Sequence, residues 1–216
     1  MTQFYKWMLP GLATPTQNKP WPVGVGEWTP DERPILCESG WHGMGEQDVL
    51  THLPYQVGVQ LWVVERRGEV VEGDDKFCAE SMRLTYHVGT TDERNLRLFA
   101  ADCAEDVLHL YEDKYPKDDR PRRAIEAARA YARGDIGASA WAAVRDAVRD
   151  AAWAAAGDAA WAAAGAAAWA AAWDAAWAAV RDAAWAAAGD AAWDEARARY
   201  SNWLVYRLWG GEGDEE

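Results

Sequence analysis

WAAVRDAVRDAAWAAAGDAAWAAAGAAAWAAAWDAAWAAVRDAAWAAAGDAAWDEAR, residues 141–197, decides the fold of the second half of this chain. From Ala138 to Arg197, 33 of 60 residues are alanine, the strongest helix former. The unit is four residues: two small ones, then Trp, Arg or Gly, then Asp or Ala. Eight of the chain's 15 tryptophans share that third position. Four residues advance about 400° on an α-helix, so the third position drifts about 40° per unit. A single rod would expose indoles on every side, and burying each one offers roughly 4–6 kcal/mol. The pattern therefore predicts several helices folded back as a bundle or short solenoid. Breaks are expected at Gly157-Asp158 and Gly189-Asp190, where Gly closes one helix and Asp caps the next.

Working back towards the N-terminus, Gly134-Asp135 reads as a helix stop. Pro121 to Arg133 reads as a helix with Pro in its first turn, packed through Ile125, Ala128 and Tyr131 or Ala132. Before it, Leu96, Phe99, Cys103, Val107 and Leu110 fall at helical spacing, behind a capping box built on Thr90 and Glu93. Tyr115-Pro116 ends that helix.

Residues 1–90 follow a different grammar. Gln3 to Met8, Pro34 to Cys37, Val57 to Val63 and Lys76 to Val88 read as strands. Arg66-Arg67-Gly68 reads as a turn, with Glu69 to Glu72 returning as the partner strand. Glu46 to Leu53 reads as a short helix stopped by Pro54. The expected class is α+β: a β-rich domain over 1–90, an Ala/Trp-rich helical domain over 91–209, and an acidic disordered tail over 210–216.

The net charge of −13 argues against a nucleic-acid binder, which needs clustered Lys and Arg. Three cysteines cannot form a disulfide framework and suit a reducing, cytoplasmic setting. No signal peptide pattern and no membrane-length apolar run is present. Walker, Rossmann, HExxH and nucleophile-elbow motifs are absent.

The stretch AADCAEDVLHLYEDKYPKDDRPRRAIEAARAYARGDIG, Ala100 to Gly137, followed by Ala/Trp repeats, resembles the alanine-rich helical class of immunity proteins from bacterial polymorphic-toxin systems. That resemblance covers roughly residues 92–205. It implies neutralisation of a toxin by binding, with no cofactor and no catalytic residue. YKWML, LCESGWHGM, DVLTHL, QLWVVERRGEVV and FCAESMRL resemble an uncharacterised bacterial and phage domain that precedes low-complexity repeats. Their order is similar to that of ADP-ribosyltransferases, though no catalytic glutamate motif accompanies it.

Two sets of candidate residues follow. A partner-binding face is expected from Trp161, Trp169, Trp173, Trp177 and Trp185 with Arg145, Arg149 and Arg181, because aromatic and Arg side chains dominate interfaces. Its occupant is a toxin or defence protein, or a second copy of the chain in a homo-oligomer. The second set is Tyr5, Lys6, Trp41 and His42. They could line a pocket gripping a nucleotide by stacking and charge; equally, His42 could bond locally in a turn while Trp41 fills the core. Cys37, His42, Cys78 and His87 could offer zinc ligands, without finger-type spacing. A binding protein is the leading expectation, and a nucleotide-binding or ADP-ribosyltransferase-like module in 1–90 is the alternative.

Overall fold

The computed structural model describes residues 3–54, 56–113, 115–140 and 190–210, with the side chains of Leu110 and residues 190–193 left out. Gly157-Asp158, Gly189 and every repeat residue named above as a partner contact lie outside these stretches, as does the tail beyond Gly210; of the second expected break only Asp190 is described, at the start of a helix. The chain divides into two compact units, Met1–Thr91 with Ser201–Glu216, and Asp92–Tyr200. Antiparallel strands followed by helices make the class α+β, as the sequence indicates.

In the first unit, strands β1 (Phe4–Met8), β2 (Trp41–Gly45), β3 (Gln60–Glu72) and β4 (Phe77–Thr90) close into an antiparallel barrel, ordered β1-β2-β4-β3. β1 closes the ring by pairing with both β2 and β3, through Phe4 and Tyr5. β3 and β4 form one long hairpin, Glu72 opposite Phe77 and Gln60 opposite Thr90. Its turn lies at Gly73–Lys76, where the Gly73 N–H donates to the Lys76 carbonyl at 2.7 Å.

The sequence turn at Arg66-Arg67-Gly68 is corrected to a bulge within β3, between Arg67 and Val70. Gly68 adopts φ +76°, a conformation that serves a bulge as well as a turn. The Glu69 N–H, diverted from the ladder, donates to Glu80 Oε2 at 2.9 Å. Glu69 to Glu72 thus continue β3.

Pro34 to Cys37 are not a strand either. They make a turn closed by one bridge between Ile35 and Ser39, with Cys37 at φ +65°. Residues Glu46–Asp48 form a single 3-10 turn where a longer helix was expected. Ser201 explains how that short turn is held: its hydroxyl accepts from the Leu50 N–H at 3.1 Å and donates to the Gln47 carbonyl at 3.0 Å.

One core layer of the barrel unit joins Met8, Trp21, Trp41, Val64, Phe77, Met82 and Leu84. Residues Gly26 to Glu32 run beside β4, the N–H groups of Gly26, Thr29 and Glu32 donating to the carbonyls of Leu84, Met82 and Glu80. This accounts for the Pro- and Gly-rich opening of the chain: it supplies a covering loop that carries Trp21 onto the sheet.

In the second unit, α1 (Glu93–Asp106) buries Leu96, Phe99 and Cys103, the stripe read from the sequence. Its cap is Asp92 in place of the expected Thr90. The Asp92 carboxylate accepts from the Asn95 N–H at 2.6 Å, and Glu93 instead pairs with Arg97 one turn on. The helix breaks at Val107 before α2 (Leu108–Glu112). α3 (Arg120–Arg133) buries Ala124, Ile125 and Ala128 and ends on Gly134 at φ +85°, a left-handed cap. The Asp135 N–H then reaches back to the Ala130 carbonyl at 2.8 Å. α4 spans Asp190–Leu208. Among the described residues, no helix is long and apolar enough to cross a membrane.

Candidate functional site

Adjacent residues on a strand point to opposite faces, and β1 separates two of the candidates by that rule. Lys6 shares the face of Phe4 and Met8, towards the layer containing Trp21 and Trp41. Tyr5 lies on the other face with Trp7, fully buried, its hydroxyl donating to Gln3 Oε1 at 2.7 Å. Burial pushes the Tyr5 hydroxyl up to about 12.

Lys6, Trp41 and His42 do meet. Lys6 Nζ donates to the His42 carbonyl at 2.5 Å and lies 5.8 Å from the Trp21 ring centre. Trp41 packs edge-on against Trp21 with ring centres 5.1 Å apart, and its own N–H donates to the Pro30 carbonyl at 2.9 Å. The aromatic wall is therefore an indole pair, and Trp21 is the member that sequence reasoning did not single out.

The His42 ring accepts from the Cys37 backbone N–H at 3.0 Å through Nε2. Its Nδ1 is 3.9 Å from Cys78 Sγ, while the thiol donates to the Ser39 carbonyl at 2.9 Å. Burial, then Lys6 and Lys76, hold the imidazole below its ordinary pKa, and burial pushes the Cys78 thiol up. Both partners are thus kept neutral, the reverse of the thiolate–imidazolium state that activates a cysteine nucleophile. His42 thus bonds locally, to the Pro34–Cys37 turn but from within β2, and the neighbouring Trp41 is buried. His87 lies apart, stacked on Trp62 at 5.0 Å and bonded to the Thr90 hydroxyl. Among the described residues, no group of three His, Cys, Asp or Glu side chains is placed to hold a metal.

The barrel unit also displays aromatic and Arg groups outward. The guanidiniums of Arg67 and Arg83 both lie over the Trp28 ring, 4.6 and 4.8 Å from its centre. Tyr86, Tyr206 and Trp209 are each about half exposed, and the Trp209 N–H donates to the Tyr86 hydroxyl at 3.1 Å. Sequence reasoning missed these; the i, i+3 spacing of Trp203, Tyr206 and Trp209 was the available signal.

In the helical unit, the charged DDRPRR run is engaged within its own surroundings. Asp118 accepts from Arg120 Nε and Nη2 at 2.7 and 2.6 Å and from the Tyr111 hydroxyl at 2.6 Å. Those donors hold its carboxyl well below the usual range, Arg120 contributing most. Arg122 clamps Glu112 with two hydrogen bonds, and Arg123 pairs with Asp119. Arg129 bridges Asp102 and Glu105 across α1 and α3. Arg199 and the Tyr200 hydroxyl converge on Asp106 Oδ2, both at 2.6 Å. A shallow depression of about 450 Å³ lies over the α2–α3 connection, bordered by Glu112, Pro116, Lys117, Asp119 and Arg122.

Residues 86–197, slightly more than half of the chain, match the family model described as "Imm-5 like putative immunity protein". No curated protein and no solved structure matches the chain.

Proposed function

Because the chain belongs to the Imm-5 like immunity-protein family by that match, we propose that it is a non-enzymatic binding protein that captures a toxin-type protein and silences it by covering its surface. The family match over residues 86–197 is the observation that carries this reading. The contact face is assigned to the repeat, through Trp161, Trp169, Trp173, Trp177 and Trp185, with Arg145, Arg149 and Arg181 at its rim. Trp and Arg are the residues that contribute most to protein interfaces. The chain's charge of −13 favours a partner with a cationic surface, which would also speed their encounter. The setting is cytoplasmic, where a toxin must be held before it acts.

The test is calorimetric titration of the full-length chain with a purified toxin-type protein, taken from any such gene found adjoining its own. Stoichiometric capture with loss of the toxin's activity is the expected result. Replacing Trp169, Trp173 and Trp177 together with Arg145, Arg149 and Arg181 by alanine should weaken capture at least about tenfold, since aromatic and Arg side chains carry most of an interface's energy. Undiminished capture by that variant would move the face elsewhere. Self-association without capture would assign the face to a homo-oligomer.

A further inference from the structure

Lys6 and Trp21 are two buried donors with too few acceptors. Both residues are 7 % exposed. The Lys6 ammonium has three N–H groups and donates to one acceptor among the described residues, the His42 carbonyl. The Trp21 Nε1–H has none. The ammonium lies over that same indole, 5.8 Å from its ring centre, so the two underpaired donors are neighbours.

The groups around them supply no further acceptor. Trp41 is itself a donor, committed to the Pro30 carbonyl. His42 Nε2 is taken by the Cys37 N–H, and the Cys78 thiol points its proton to Ser39. Lys76, whose charge is felt at His42, and Lys19, 5.6 Å from the Trp41 ring centre, add only positive charge. Glu32 is the acid felt at Cys78, and it is engaged by Lys19 and the Gly40 N–H. Met8, Val64 and Phe77 complete an apolar layer. A buried ammonium without a counter-charge is costly, and a buried N–H without an acceptor adds to that cost.

We propose that Lys6 and Trp21 form a binding site for one small monovalent anion, a halide or a simple carboxylate, bound between the ammonium and the indole N–H. Lys6 is the one buried ammonium among the described residues, the Lys19 charge being met by Glu32, and the walls are apolar. That suits one negative charge and disfavours a phosphate or sulfate dianion, which would bring a second charge with no partner. Burial holds Lys6 down to about 8, so the ammonium is still mostly charged at pH 7. Its charge is then available to the anion, and binding strengthens its hold on the proton. The site lies outside the family-matched residues 86–197 and stands independently of the immunity reading.

The experiment uses the full-length, nitrogen-15-labelled chain. The Trp21 indole N–H signal is identified by its loss in Trp21→Phe. Sodium chloride and sodium formate are titrated separately at pH 7, with sodium sulfate at matched ionic strength as the control. A saturating shift of the Trp21 signal with chloride or formate, and none with sulfate, is expected. Lys6→Met should lower the affinity at least about tenfold, the size of losing one charge-assisted hydrogen bond. If that variant fails to fold, the wild-type titration at pH 9 replaces it. There Lys6 is mostly neutral, and the apparent affinity should fall about tenfold from its value at pH 7. His42 and Cys78, both held neutral at pH 7, add no counter-charge to the site there. A linear shift that sulfate reproduces, or an affinity unchanged in Lys6→Met or at pH 9, overturns the proposal.

Discussion

Replacing Asp118 by alanine should loosen the whole α1–α3 seam, although the residue sits in a connection and not in the core. Its carboxylate gathers the Tyr111 hydroxyl, the Arg120 guanidinium and the Arg120 backbone N–H. Tyr111 is only 1 % exposed, and its hydroxyl relies on that carboxylate for its acceptor. An orphaned hydroxyl of this kind costs about 1–3 kcal/mol. The Arg120 side of the interaction is 40 % exposed and adds a few tenths of a kcal/mol after solvent screening. The expected loss is about 2 kcal/mol. Tyr111→Phe removes the donor but leaves Asp118 with Arg120, and should cost about 1 kcal/mol. The double variant should lose less than the two singles together, because the orphaned hydroxyl is no longer present.

Amide hydrogen exchange of Ala124, Ile125 and Ala128 is the suitable assay, since it reads local opening residue by residue. A loss of about 2 kcal/mol appears as roughly thirtyfold faster exchange. The pH dependence carries a second check. Asp118 has a depressed folded-state pKa, so its contribution is fully present above the unfolded carboxylate value and fades as pH falls towards the lower folded value. The gap between wild type and Asp118→Ala should therefore close on acidification. Exchange unchanged at pH 7, or strictly additive losses, would refute the argument.

Other consequences are simpler to state. Gly68→Ala places a Cβ against the Glu80 carboxylate at φ +76° and should destabilise the barrel unit by about 1–3 kcal/mol, read by urea unfolding. Leu204→Ala empties a fully buried position and should cost about 2–5 kcal/mol, whereas Tyr206→Ala, at 54 % exposure, should stay within about 0.5 kcal/mol. Lys6 binds its proton less tightly folded than unfolded, so between about pH 8 and the unfolded value it makes stability rise with pH. Subtracting the Lys6→Met profile, in buffer poor in small anions, isolates that rise from the opposing effect of Cys78.

What the sequence made legible follows from which signals are local. The Leu96–Phe99–Cys103 stripe and the Gly134 stop needed only helical period and a glycine, and both appear where expected. Gly68 carried an ambiguous signal: one left-handed residue serves a hairpin turn or a bulge, and the Glu80 carboxylate waiting across the sheet decides between them. Thr90 was the expected cap, from its spacing to Glu93. The strand continues through Thr90, and the buried Thr91 bonds back to Val59, so only Asp92 is left to start the helix. Trp21 could not be placed beside Lys6 from the sequence, because a long irregular loop carries it there. The separation of Tyr5 from Lys6, by contrast, was readable from strand alternation alone.

The DDRPRRAIEAARAYARG core, Asp118 to Gly134, is quite specific to the family resemblance, yet its arginines are engaged inside the fold. Asp118, Arg120 and Tyr111 fix the α2–α3 connection, Arg122 ties α3 to the end of α2, and Arg129 ties α3 to α1. A partner competing for these groups would have to break contacts that already satisfy them, which yields little net affinity. Similarity at this run therefore reports a shared helical scaffold. Discrimination between partners would then fall to positions that the scaffold leaves free to vary. Under the proposed reading, that freedom belongs to the four-residue repeat, whose third position is Trp, Arg or Gly.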